Sequence, residues 1–118
     1  MSGQEKMTCM QLPQDVRVRK VMRLVHDVPK LRRQELAASV NLSVWHLGYL
    51  FKRETGIRLN RYILEVRLQQ ALELLENTQE QIKSIAFQAG YEHSSSFIRA
   101  FILRYGESPE HYRRRHVA

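Results

Sequence analysis

Residues 47–62 read LGYLFKRETGIRLNRY, and residues 97–112 read FIRAFILRYGESPEHY. Set one above the other, Leu47 meets Phe97, Phe51 meets Phe101, Gly56 meets Gly106 and Tyr62 meets Tyr112, each pair 50 positions apart. Ala37 and Ala86 continue the match at 49 positions, so the turn of the second copy is one residue longer. Within each copy two large apolar residues stand four apart, the spacing of one helix face, and a glycine follows where a helix ends in the left-handed conformation. Aromatic and glycine matches in one register outweigh the plainer account, an all-helical bundle whose loops are alike by chance.

Outward from this repeat the spacing predicts helices throughout. Pro13 and Asp15 suit a helix start, with Val18, Val21, Met22 and Val25 on one face and Pro29 as the stop. A short helix over Arg33 to Val40 turns Leu36, Ala37 and Val40 inward, and a turn at Asn41 and Leu42 follows. Ser43 is a good N-cap for a third helix that buries Leu47, Leu50 and Phe51. From Leu59 to Glu76 no breaker occurs, a length of roughly 26 Å at the α-helical rise. Ile82, Ile85 and Ala86 mark another short helix, and Gly90 a turn. Residues 94–105 form the next helix, with Ser94 or Ser95 available as its cap, and Ser108, Pro109 and Glu110 start the last. The expectation is an all-α fold of about seven helices. Short helix, tight turn, longer helix and glycine stop occur twice, which is helix-turn-helix grammar. The domain plan is a flexible leader over 1–12 and one domain over 13–115. That domain holds a first helix-turn-helix at 33–55, a long linker helix at 59–76 and a second helix-turn-helix at 81–105.

The 118 residues are 43% hydrophobic and 26% charged, proportions of a globular chain, and 5 Gly with 3 Pro argue against collagen-like or turn-dense architectures. Nineteen Lys and Arg against twelve Asp and Glu leave +7, and 14 of the 19 are Arg. That excess favours a polyanionic partner, nucleic acid first and an anionic membrane surface second. The membrane reading is weaker because the basic residues spread over several helices rather than one amphipathic face. The lone Cys9 can form no internal disulfide, no run approaches the roughly 20 apolar residues of a membrane span, and a cytoplasmic location follows. Catalysis finds no support: His26, His46, His93, His111 and His116 are scattered without the i, i+4 spacing of a helical metal site, and no nucleophile elbow or phosphate loop occurs.

Ile85 and Ala86, Gly90 and Tyr91, Ser96 and Phe97, Arg99, Phe101, Gly106, Ser108 and Pro109, and Tyr112 and Arg113 closely resemble the C-terminal signature of AraC-type transcription regulators. Leu36, Ala37, Ser43, Leu47, Phe51, Lys52, Glu54, Thr55, Gly56 and Tyr62 resemble the first half of the same pattern. Arg67, Ala71, Leu74 and Leu75 resemble its linker helix. The resemblance runs from about Asp15 to Arg115. It implies two helix-turn-helix subdomains that bind double-stranded promoter DNA, each laying its second helix in a major groove. If the linker helix fixes those helices roughly 34 Å apart, they match one turn of B-DNA. It further implies no cofactor and RNA polymerase as a partner; members usually carry an N-terminal effector or dimerisation domain, for which 118 residues leave no room, so the chain reads either as a stand-alone regulator or as an excised C-terminal domain. Ser43 to Leu47 (SVWHL) is similar to the branch containing MarA, SoxS and Rob, where the matching Trp packs on thymine methyls and sugars.

On that resemblance the base-reading candidates are the outward residues near the start of each recognition helix: Val44, Trp45, Gly48 and Tyr49 in the first, Ser94, Ser95, Ile98 and Arg99 in the second. Trp45 has a core reading beside the DNA reading, made weaker by its i+2 offset from Leu47. Arg99 is the candidate for a bidentate bond to guanine, against a phosphate contact or a solvated arginine. Phosphate candidates are Lys52, Arg53, Arg58, Arg61 and Arg113, with Arg17, Arg114 and Arg115 behind them; a solvated face is the equal alternative for each arginine. Arg67 reads as a structural residue bonding carbonyls or carboxylates between the subdomains. Lys52 follows Phe51, whereas Ile102 and Leu103 follow Phe101, so the second copy trades a phosphate anchor for apolar surface. Ile98, Ile102 and Leu103 also support the alternative class, a basic helical protein-interaction module.

Overall fold

The computed structural model describes residues 11–116, seven α-helices with no strand among them: α1 Val16–Asp27, α2 Arg33–Ser39, α3 Val44–Thr55, α4 Leu59–Asn77, α5 Ile82–Gln88, α6 Ser94–Tyr105 and α7 Pro109–His116. The chain divides between Val66 and Arg67 into two compact units. Cys9 and residues 1–10 of the expected leader lie outside the described residues. Gln11, assigned to the same leader, donates its backbone N–H to the Thr55 carbonyl at 3.0 Å and is thereby tied to the end of α3.

In the first unit Asp15 caps α1, accepting from the Arg17 N–H at 2.8 Å, and Val18, Val21 and Val25 face inward. Ser43 caps α3 by accepting from the His46 N–H at 3.0 Å. Arg32 precedes α2 and has no acceptor to offer, but Glu35 takes the Arg32 N–H at 2.8 Å and so forms half of a capping box. α3 stops at Gly56, whose φ of +82° is left-handed; Gly106 ends α6 at +81°. The core joins Val18, Val21 and Val25 to Leu36 and Ala37 of α2, Leu47, Leu50 and Phe51 of α3, and the first part of α4.

The second unit is built alike. Leu68, Ala71 and Leu75 from the later part of α4 pack with Ile85, Ala86, Phe97 and Phe101. Thus Val18, Val21 and Val25 have counterparts at 68, 71 and 75, so the repeat extends back through α1 and α4. Both helix-turn-helix corners close by one bond, Leu42 N–H to Ala37 carbonyl and Tyr91 N–H to Ala86 carbonyl, each 3.0 Å, behind a left-handed residue, Asn41 or Gly90. The additional residue of the second copy falls after this closed turn. His93 therefore precedes α6 as its N-cap, without a side-chain bond. Ser94 and Ser95, expected to include the cap, are instead the first two residues of the helix.

Tyr62 is almost fully buried, its hydroxyl 3.1 Å from His26 Nε2, and burial pushes its pKa up to about 12. An unfolded Tyr62 loses its proton near 10.0, so above that pH the unfolded chain binds fewer protons and stability falls. Denaturation of Tyr62→Phe on either side of pH 10 should show a shallower decline than the parent chain. Phe51→Ala and Phe101→Ala should each cost about 3–5 kcal/mol. Amide exchange should report each loss first in the unit that holds the substituted ring.

Candidate nucleic-acid interface

Because Leu47, Leu50 and Phe51 are buried, helical geometry turns residues 45, 48, 49 and 52 to the opposite side of α3. Trp45 is 76% exposed and Tyr49 55%, and their rings lie parallel, 8° apart in plane and 5.8 Å between centroids. The core reading of Trp45 is therefore excluded. Two stacked aromatic rings held in solvent on one helix face form an apolar surface for a ligand. Val44, expected beside them, is half-buried and packs against the core.

The aromatic pair borders a groove of about 820 Å³, also lined by Gly48, Arg33, Lys52, Arg53, Arg58 and Asn60. None of its lining residues is acidic. Lys52 donates to the Gly56 carbonyl at 2.9 Å, which leaves two of its three N–H groups for another acceptor. A Cβ on Gly48 would meet no atom within 4 Å, so the floor of the groove is open. Arg61 is exposed but does not line it. Arg33 and Asn60 were not among the sequence candidates; each belongs to the first turn of a different helix, and no pattern within α3 could point to them.

In the second unit Ser95 and Arg99 are exposed and Ser94 half-buried, while Ile98 packs against the core. Ile102 is 44% exposed and Leu103 87%, so Ile102 is no core residue. A smaller groove of about 300 Å³ is lined by Ile82, Lys83, Ser94, Ile98, Ser108 and Glu110. Arg67 is half-buried with its guanidinium 5.8 Å from the Tyr91 ring centre, both within this unit. Burial pulls the Arg67 pKa down and the Tyr91 hydroxyl opposes that shift.

Arg113 corrects the sequence reading. Expected among the phosphate anchors, it donates through Nε to the Leu75 carbonyl at 3.2 Å, through Nη2 to Thr78 at 3.1 Å and Leu74 at 3.5 Å, and through Nη1 to Glu80. Its fork ties carbonyls in the last turn of α4 to the Thr78 and Glu80 carbonyls of the segment that follows. Other basic residues also have acidic neighbours: Arg17 pairs with Asp15 at 2.8 Å, Arg115 with Glu107, and Arg114 with Glu110 at 3.9 Å. The Arg115 and His111 contacts hold the Glu107 carboxyl down at about 2.

Among the described residues no cluster of three or more His, Cys, Asp or Glu could hold a metal, and no helix is long and apolar enough to cross a membrane. Two helix-turn-helix units, one with exposed aromatics over a basic groove, suit a polyanionic duplex. A family profile described as a helix-turn-helix domain matches residues 36–115. The chain belongs to the AraC-type helix-turn-helix family. It is 32% identical over 99 residues to the Msm operon regulatory protein of Streptococcus mutans, covering 82% of this chain and 36% of that protein. The right origin-binding protein of Escherichia coli is 34% identical over 84 residues, 71% of this chain and 29% of that one. The chain thus spans about a third of the length of these curated relatives. Among solved structures, the C-terminal domain of AraT, a response regulator from Geobacillus stearothermophilus, aligns with a TM-score of 0.82 at 29% identity, over 88% of each chain.

The carbonyl clamp makes Arg113 a stability residue. Arg113→Ala should cost about 2–3 kcal/mol, in the range of hydrogen bonds to a charged group. Arg113→Lys should recover little of it, because an ammonium cannot reproduce the fork. Thermal melts of the two variants test both expectations.

Proposed function

We propose that this chain is the DNA-binding part of a bacterial transcription regulator and works in the cytoplasm, where it reads promoter duplex with both units. The observation that carries the reading is the Trp45 and Tyr49 pair, exposed on α3 beside a groove with four cations and no acid. Flat aromatic faces pack on thymine methyls and sugars, while arginines and Lys52 meet phosphates. In the second unit Arg99 bonds the O6 and N7 edge of a guanine, with Ser94 and Ser95 beside it. Each unit lays its second helix in its own stretch of major groove, giving an asymmetric site of about two helical turns. RNA polymerase and an N-terminal effector or dimerisation domain complete the regulator, in keeping with relatives more than twice as long.

The second reading, a protein-interaction module, is favoured by Ile102 and Leu103 alone. Salt-dependent binding to duplex DNA, with no comparable preference for RNA, decides for the first reading. Selection from a random duplex library supplies the site. On that site Arg99→Ala should cost ~1–3 kcal/mol and relax the preference at one base pair. Uniform weakening on every sequence would instead make Arg99 a phosphate clamp.

A further inference from the structure

The two grooves correspond position by position under the internal repeat. Gly48 of the first matches Ile98 of the second, Arg58 matches Ser108, and Asn60 matches Glu110, each 50 residues on. Arg33 matches Ile82 at the 49-residue offset that relates α2 to α5. On the outer edge, Lys52 and Arg53 match the exposed Ile102 and Leu103. At these positions the second copy removes a cation, adds an acid or fills space, while Arg99 in place of Tyr49 and Lys83 in place of Gln34 return two cations; the groove is about 300 rather than about 820 Å³.

The first copy also accepts local costs at this place. A glycine inside a helix weakens it, and Gly48 does so where a Cβ would meet nothing. Ser108 caps α7 by accepting from the His111 N–H at 3.1 Å, whereas Arg58 stands before α4 with no acceptor to offer. Both departures from good helix-building line one groove. Gln81 and His93 also precede helices without a side-chain capping bond, so it is the interior glycine over open space that marks the groove as a place shaped for binding rather than for stability.

The geometry points to a division of labour between the units. The groove opened by Gly48 receives the phosphodiester backbone of duplex DNA and supplies most of the sequence-independent attraction. The second unit, whose matching groove is narrowed by Ile98, adds base reading through Arg99 and little phosphate grip. This inference rests on the DNA-binding reading, and that reading is checked first: the unsubstituted chain must bind a random-sequence duplex pool with salt-dependent affinity. Failure there removes DNA binding itself.

Given binding, the variants decide the division, with thermal melts run alongside. Each phosphate contact contributes about 0.9 to the slope of log K against log salt, so Lys52→Ala and Arg53→Ala should each flatten it by about 1. Lys83→Ala, which removes the cation of the second groove, should leave it unchanged. Ile102→Lys should steepen the slope by about 1. Gly48→Ile, which installs the residue of the second copy, should flatten it in a folded protein. Arg58→Ser should melt higher and bind more weakly. The proposal is overturned if Lys83→Ala flattens the slope as much as Lys52→Ala, or if folded Gly48→Ile or Ile102→Lys keeps the parent slope. Should Gly48→Ile fail to fold, the Lys52→Ala/Arg53→Ala double variant decides, and an unchanged slope overturns the proposal.

Discussion

The full burial of Phe51 and Phe101 sets what the outer faces of α3 and α6 can do. A helix that buries a large ring at one position is fixed in rotation about its own axis, because turning by one residue moves every side chain by about 100°. With Phe51 inside, Trp45, Tyr49 and Lys52 have nowhere to go but outward. With Phe101 inside, Ser95, Arg99, Ile102 and Leu103 face out in the same way. Leu47 and Phe97, both fully buried, fix the same rotation a turn earlier. The chemistry of the outer faces thus follows from apolar residues that are themselves buried.

The repeat that organises these rings was legible because aromatic residues and glycines are specific signals. Gly56 and Gly106 have nearly identical left-handed φ values, a conformation other side chains adopt at a cost, so their alignment constrained the reading strongly. The extension of the repeat through α1 and α4 was not legible. Val18, Val21 and Val25 face their cores as Leu68, Ala71 and Leu75 do, but any aliphatic residue at helical spacing would serve. The cap of α6 was misread, although its span over 94–105 was not: Ser94 and Ser95 both carry the chemistry of a cap. The additional residue in the turn makes His93 the one that precedes the helix.

The outward candidates on α3 and α6 could be read because one helix face determines the other. Half-buried Val44 and Ile98 mark the limit of that argument, since a residue at the border of the apolar stripe packs against the core. Arg113 marks a different limit. Its acceptors are backbone carbonyls more than thirty residues earlier, and a carbonyl has no sequence signature. Charge counting alone assigns such an arginine to the solvent or to a ligand. The same blindness hid Arg33 and Asn60, which meet α3 only through the fold.

The two copies differ in a way that separates folding from binding. At matched buried positions the residues remain apolar, and the left-handed turns and glycine stops are kept. At matched exposed positions the chemistry changes outright, from Lys52 and Arg53 to Ile102 and Leu103, and from Tyr49 to Arg99. Packing tolerates few replacements inside a close-packed core, whereas exposed helical positions affect stability little. Their divergence is therefore free to follow the ligand. An aromatic pair with a basic groove and an arginine with apolar neighbours are two different outer faces on one scaffold.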